Sequence, residues 1–121
     1  MRHARLTILP LLFILCVGLF GCGGQSTPSE SDGKAVMDNM TAAAHVPAHV
    51  KSFTKTNGVM QDVGGVKHYT MQYEAELEYT EDVPGPLGEP QIKKGDVKKQ
   101  TGSMEFQQTE KGWQGQDDKI Y

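Results

Sequence analysis

A chain of 121 residues with a formal net charge of −3 has room for one modest domain. Its 12 basic residues are outnumbered by 15 acidic ones, and this mildly acidic balance gives no reason to expect nucleic acid.

Arg2 and Arg5 open the chain, and residues 6–20 are almost wholly apolar, interrupted by Thr7, Pro10 and Gly18. A positive head, an apolar run and small residues before a cleavage point form the layout of a secretory signal. The run is shorter than the roughly 20 residues a spanning helix needs. Its end, Leu19-Phe20-Gly21-Cys22, resembles the lipobox of bacterial lipoproteins, with a small residue before the cysteine. Cys16 follows Leu15 and lacks that small residue. The resemblance implies that residues 1–21 are a cleaved signal peptide and that Cys22 becomes an acylated, palmitate-bearing N-terminus. An uncleaved anchor would leave the same domain outside the cytoplasm. Gly23 and Gly24 replace the aspartate that resembles an inner-membrane retention signal of enteric bacteria, which implies the outer membrane, facing the periplasm, in a Gram-negative cell.

Loss of Arg2 and Arg5 takes the net charge from −3 to −5. The acyl chains, at about 0.8 kcal/mol per buried CH₂, then carry the membrane attachment without a polybasic patch. No thiol is left for a disulfide, a metal or a nucleophile once Cys16 is removed and Cys22 acylated.

Residues 22–33 read as the lipidated cysteine and a flexible Gly/Ser/Pro tether, and residues 34–121 as a single domain. A helix is expected over 34–46, capped by Ser31 or Asp32, because Val36, Met37, Met40, Ala43 and Ala44 recur at three- and four-residue steps. Pro47 ends it. Residues 50–60 read as a first strand anchored by Phe53, with a turn or a bulge at Asn57-Gly58 and a further turn at Gly64-Gly65. Residues 66–79 are the clearest strand: Tyr69, Met71, Tyr73, Ala75, Leu77 and Tyr79 alternate with His68, Thr70, Gln72, Glu74, Glu76 and Glu78. Pro84, Pro86 and Pro90 make 81–95 a long exposed loop, tucked down by Leu87 and Ile92. Residues 96–109 alternate again, with Gly102, Met104 and Phe106 on one face. A turn at Glu110-Lys111-Gly112 then leads to a last strand opened by Trp113.

Chemistry-bearing residues are few. Glu74, Glu76 and Glu78 line one strand face about 7 Å apart, where carboxylates diverge instead of wrapping a cation. The expectation is a solvated outer face with partners from Lys93, Lys94, Lys98 and Lys99. His45 and His49 have the spacing of a helical metal pair, but Pro47 lies between them. No strained Ser elbow and no phosphate-cradling glycine loop is present, and neither a metal, a cofactor nor an enzyme is expected.

The order of elements gives an α+β fold: one N-terminal helix packed on a curved antiparallel sheet of about four strands. It resembles the cystatin-like or nuclear-transport-factor-like fold of small, uncharacterised bacterial lipoproteins. The phrases that carry this are Phe-x-Lys-Thr-x-Gly from Phe53, Tyr-x-Ala-Glu from Tyr73 and Phe-x-x-Thr-Glu-Lys-Gly-Trp from Phe106. They are core and turn residues and imply fold alone. The functional expectation is a lipid-anchored cell-envelope module that binds a protein partner or itself, through an edge strand or loop 81–95. The alternative is a carrier holding a small apolar ligand between helix and sheet, against Met40, Phe53, Met71, Tyr73, Met104 and Phe106.

Overall fold

The computed structural model describes residues 26–121. The expected signal peptide, the lipobox and Cys22 lie outside the described residues.

The one helix among the described residues, α1 (Glu30–Ala43), begins four residues before the expected point. Its cap is Ser29 instead of Ser31 or Asp32. The Asp32 N–H donates to Ser29 Oγ at 3.2 Å and the Ser29 N–H donates to Asp32 Oδ2 at 2.8 Å. This reciprocal capping box satisfies first-turn amides that have no helical partner, so Ser29-x-x-Asp32 outcompetes the later residues. At the other end His45 takes φ 54°. The N–H groups of His45 and Val46 then reach back to the carbonyls of Ala42 and Thr41, both at 3.1 Å. These two bonds are the Schellman closure of a helix, usually built on Gly.

β1 (Ala48–Val63) and β2 (Val66–Tyr79) form a long antiparallel hairpin across Gly64-Gly65. The expected irregularity at Asn57-Gly58 is a bulge and not a turn: the register shifts between Lys55 and Asn57, and again between Val50 and Ser52. The proline-rich segment is more ordered than its composition suggests. It forms a small separate hairpin, β3 (Val83–Pro84) and β4 (Pro90–Ile92). β5 (Val97–Thr109) pairs along β2, and the short β6 (Gly112–Gln114) pairs with its end. The main sheet thus has the order β1-β2-β5-β6, one helix on an open antiparallel sheet.

Period-two alternation puts Tyr69, Met71, Ala75 and Leu77 on the helix side of β2, with Met104 and Phe106 beside them on β5. Val36 and Met37 of α1, Val50 and Phe53 of β1 and Trp113 of β6 complete the buried cluster. Glycines make room against it, Gly102 and Gly33 among them. A Cβ at Gly102 would stand 2.8 Å from the Tyr73 hydroxyl, so that side chain lies over the glycine. A Cβ at Gly33 would stand 2.6 Å from Met71 Sδ and 2.7 Å from the Phe53 ring. Gly33 therefore sets how closely α1 can approach the sheet.

The described part of the stretch expected as a tether is packed on the domain. Pro28 is fully buried, the Trp113 indole N–H donates to the Ser26 carbonyl at 2.7 Å, and Lys55 Nζ donates to the Pro28 carbonyl at 3.1 Å. Residues 26–33 thus belong to the folded body, because Pro28 and the capping box give them something to bury and bond.

Gly33→Ala should lower stability by about 1–2 kcal/mol. Overpacking costs about 1–3 kcal/mol, and the gain in helix propensity, up to about 1 kcal/mol, offsets part of it. Denaturant unfolding checks this: the midpoint should fall with the slope unchanged.

Candidate functional site

The acidic row of β2 lies on the face away from the helix, opposite Thr54, Ser52 and His49 of β1. Glu78 is paired from β1, by Lys51 at 3.8 Å and His49 at 4.0 Å. The lysines expected as partners divide between the two faces of the sheet and the loop. Lys98 stands opposite Leu77 and so shares the helix-side face, whereas Lys99 stands opposite Glu76. The backbone N–H groups of Lys93 and Lys94 close the loop by donating to Asp96 and Asp82. Among the described residues no group of three or more His, Cys, Asp or Glu side chains converges on a cation. His45 sits in the helix C-terminal turn and His49 on β1, so Pro47 does separate them into different elements. His68 is half-buried beside Gln107, on the outer side of β2.

Of the six residues expected to line an apolar pocket, four are packed into the core: Phe53, Met71, Met104 and Phe106. The Phe53 and Tyr73 rings stack at 5.1 Å. Met40 remains 43% exposed and Tyr73 half-buried. These two share an open cleft of about 330 Å³ with Met37, Leu77, Met104 and Gln100, beside the second half of α1.

A polar cluster unforeseen from the sequence ties α1 to the segment after β6. Tyr121 donates its hydroxyl to Asp117 Oδ2 at 2.5 Å, and Asn39 Nδ2 donates to the same oxygen at 2.7 Å and to the Tyr121 hydroxyl at 3.2 Å. Burial works against the Asp117 carboxylate. The bonds from Tyr121 and Asn39, and the Lys119 N–H at 3.3 Å, outweigh it and hold the carboxyl below its ordinary range. Burial, then the bond to Asp117, pushes the Tyr121 phenol up to about 12. Trp113 and Tyr121 exchange backbone bonds of 3.0 and 2.8 Å, and Tyr121 meets Phe106 edge-on at 6.2 Å. The cluster is a clasp, since its polar atoms are spent on one another. Sequence spacing held no sign of it: Asn39 and Asp117 are 78 residues apart.

Among the described residues two edges of the main sheet keep unspent bonding capacity: β1, where α1 carboxylates take the Val50 and Lys55 amides, and the far edge of β5. β6 covers it only at Gln107, Gln108 and Thr109. Over 97–103, among the described residues, no strand lies on that side. A strand edge of this kind presents a row of backbone donors and acceptors that an incoming strand can match. The β3–β4 hairpin leads directly into it. Its base is fixed by Gly95 N–H to the Tyr79 carbonyl at 2.7 Å and Tyr79 N–H to the Asp96 carbonyl at 2.9 Å. Ile92 opposes Val83 and is half-buried, as expected. Leu87 does not tuck in. It stands at the hairpin tip, 86% exposed, because the Gly85–Glu89 and Gly88–Gly85 backbone bonds turn the chain before it can fold back.

No family model, no curated protein and no solved structure matches this chain. Among the described residues no helix is long and apolar enough to cross a membrane.

Tyr121→Phe should cost about 1 kcal/mol at neutral pH, the usual worth of one hydrogen bond. The sign of the pH dependence follows from the two shifts. Tyr121, raised, contributes fully below pH 10, and its contribution is lost as pH rises from 10 to about 12. Asp117, lowered from 3.8, contributes above that value and loses its contribution as pH falls further. Denaturant midpoints of the two proteins should converge across the alkaline range, and should converge again in acid, where the variant has less of an Asp117 contribution to lose.

Proposed function

We propose that this chain is a lipid-anchored domain of the bacterial cell envelope that works by binding another protein. The anchor is Cys22, on the strength of the Leu19-Phe20-Gly21-Cys22 resemblance. The binding surface is the β5 edge over 97–103 together with the β3–β4 hairpin that adjoins it. The observation that carries this reading is the uncovered edge: residues 97–103 pair along β2 on one side and, among the described residues, meet no strand on the other. An extended segment of a partner can add to such an edge through main-chain bonds, with side chains at alternate positions giving selectivity. Lys98 and Lys99 favour a segment with acidic residues and disfavour indiscriminate strand addition. Leu87 gives the approach an apolar contact at its start.

The carrier reading has less behind it. The open cleft beside Met40 lies near the small end of the roughly 300–1,000 Å³ typical of ligand sites. The side chains that would have to line a deeper cavity are occupied with one another.

Photoreactive residues placed at 87, 101 and 110 in cells producing the whole protein test the proposal. Positions 87 and 101 should give a discrete cross-linked product and position 110 none. Deleting residues 83–90 should reduce the product at 101 at least tenfold while the circular dichroism spectrum is kept. Products of equal yield at 101 and 110, or no change on deletion, would contradict it.

A further inference from the structure

The end of the sheet remote from the β3–β4 hairpin carries an apolar tip. There β1 and β2 run on to the Gly64-Gly65 turn, and all of residues 61–67 are exposed. Val63 and Val66 face each other directly across that turn, with Val63 59% exposed. Val59 and Met60, also exposed, stand behind them on opposite faces of the ribbon. Turns that face water are usually polar. Here two glycines at φ 62° and 85° make a thin tip flanked by valine.

The chain enters the domain at this same end. Ser26 is held by Trp113, whose ring lies 6.1 Å from Tyr69, and Tyr69 stands opposite Met60. From that row to Val63 and Val66 is three residues, about 10 Å. Ser26 and Cys22 are four residues apart, a span of at most about 14 Å. An acyl group on Cys22 therefore brings this end of the sheet, and no other, up to the bilayer.

We propose that Val63-Gly64-Gly65-Val66 seats in the headgroup–acyl boundary of the bilayer that holds Cys22. The inference rests on the acylation proposed above. Apolar side chains at a strand turn gain from leaving water there, and a short tether confines them where they can do so. Charge is balanced nearby: Asp62 stands opposite Lys67, and Glu110 adjoins Lys111 in the neighbouring turn. No anionic lipid is needed. Seated in this way, the domain stands upright, with the far end of the 14-residue strand β2, where the β3–β4 hairpin joins, about 40 Å from the membrane.

The test uses the whole protein, produced and processed in a bacterial host, in phosphatidylcholine nanodiscs that carry a spin-labelled lipid. Intact mass reports the acyl addition on Cys22, and methyl resonances report distance from the label. Val63 and Val66 should relax at least fivefold faster than Leu87. An acylated mass with equal relaxation at the three positions would overturn the seating alone. A mass without acyl addition would overturn the anchor and the seating with it.

Discussion

Two carboxylates of α1 hold the edge strand β1, and most of the architecture depends on that grip. Asp38 accepts from the Val50 N–H at 3.1 Å, and Glu30 accepts from the Lys55 N–H at 2.9 Å. Both amides lie beside a register shift, where the β1–β2 ladder is interrupted and an edge amide would otherwise be left to water or to another chain. Eight residues of helix, about 12 Å, separate the two acids, so they fix the direction of α1 as well as its position. Gly33, between them, lets the helix axis come close enough for both to reach. Lys34, bonded to Asp38 at 2.8 Å, and Lys55, whose Nζ lies 4.8 Å from the Tyr69 ring centroid, complete the seam.

One consequence is asymmetry. The helix takes two β1 edge amides with its side chains, and the segment after β6 covers β6 through the Trp113–Tyr121 bonds and the Asn39–Asp117–Tyr121 clasp. Between these two closures the β5 edge over 97–103 is left open. The long axis is asymmetric too, since chain entry and the valine tip share one end, and the β3–β4 hairpin occupies the other. The proposed lipid-held domain, with its docking flank turned away from the membrane, fits this layout.

Much of the fold was legible because alternation is a strong signal. Residues 66–79 sort their side chains by parity, and Phe106 and Met104 do the same, so the sheet and its buried face could be read directly. The N-terminus of the helix was misplaced because Gly, Ser and Pro in 26–33 look like linker by composition. Their role comes from a capping box, a buried proline and a bond from Trp113, which lies 87 residues away from Ser26. The pocket expectation counted apolar residues without knowing how closely the helix would approach. Gly33 brings it near enough that Phe53 and Met71 fill the space. Lys98 was expected among partners of the glutamates, but the β2–β5 register turns it to the opposite face. The clasp was invisible, since a network between distant short polar side chains leaves no periodic trace. The open edge was equally hidden, because it depends on β6 being three residues long and pairing at one end of β5.

Amide hydrogen exchange resolved residue by residue tests the central claim most directly. If α1 secures β1 while β5 stays uncovered, the Val50 and Lys55 amides exchange only through global unfolding, and alternate amides along 97–103 exchange orders of magnitude faster. Rapid exchange at Val50 and Lys55, or full protection along 97–103 in the isolated protein, would contradict the account.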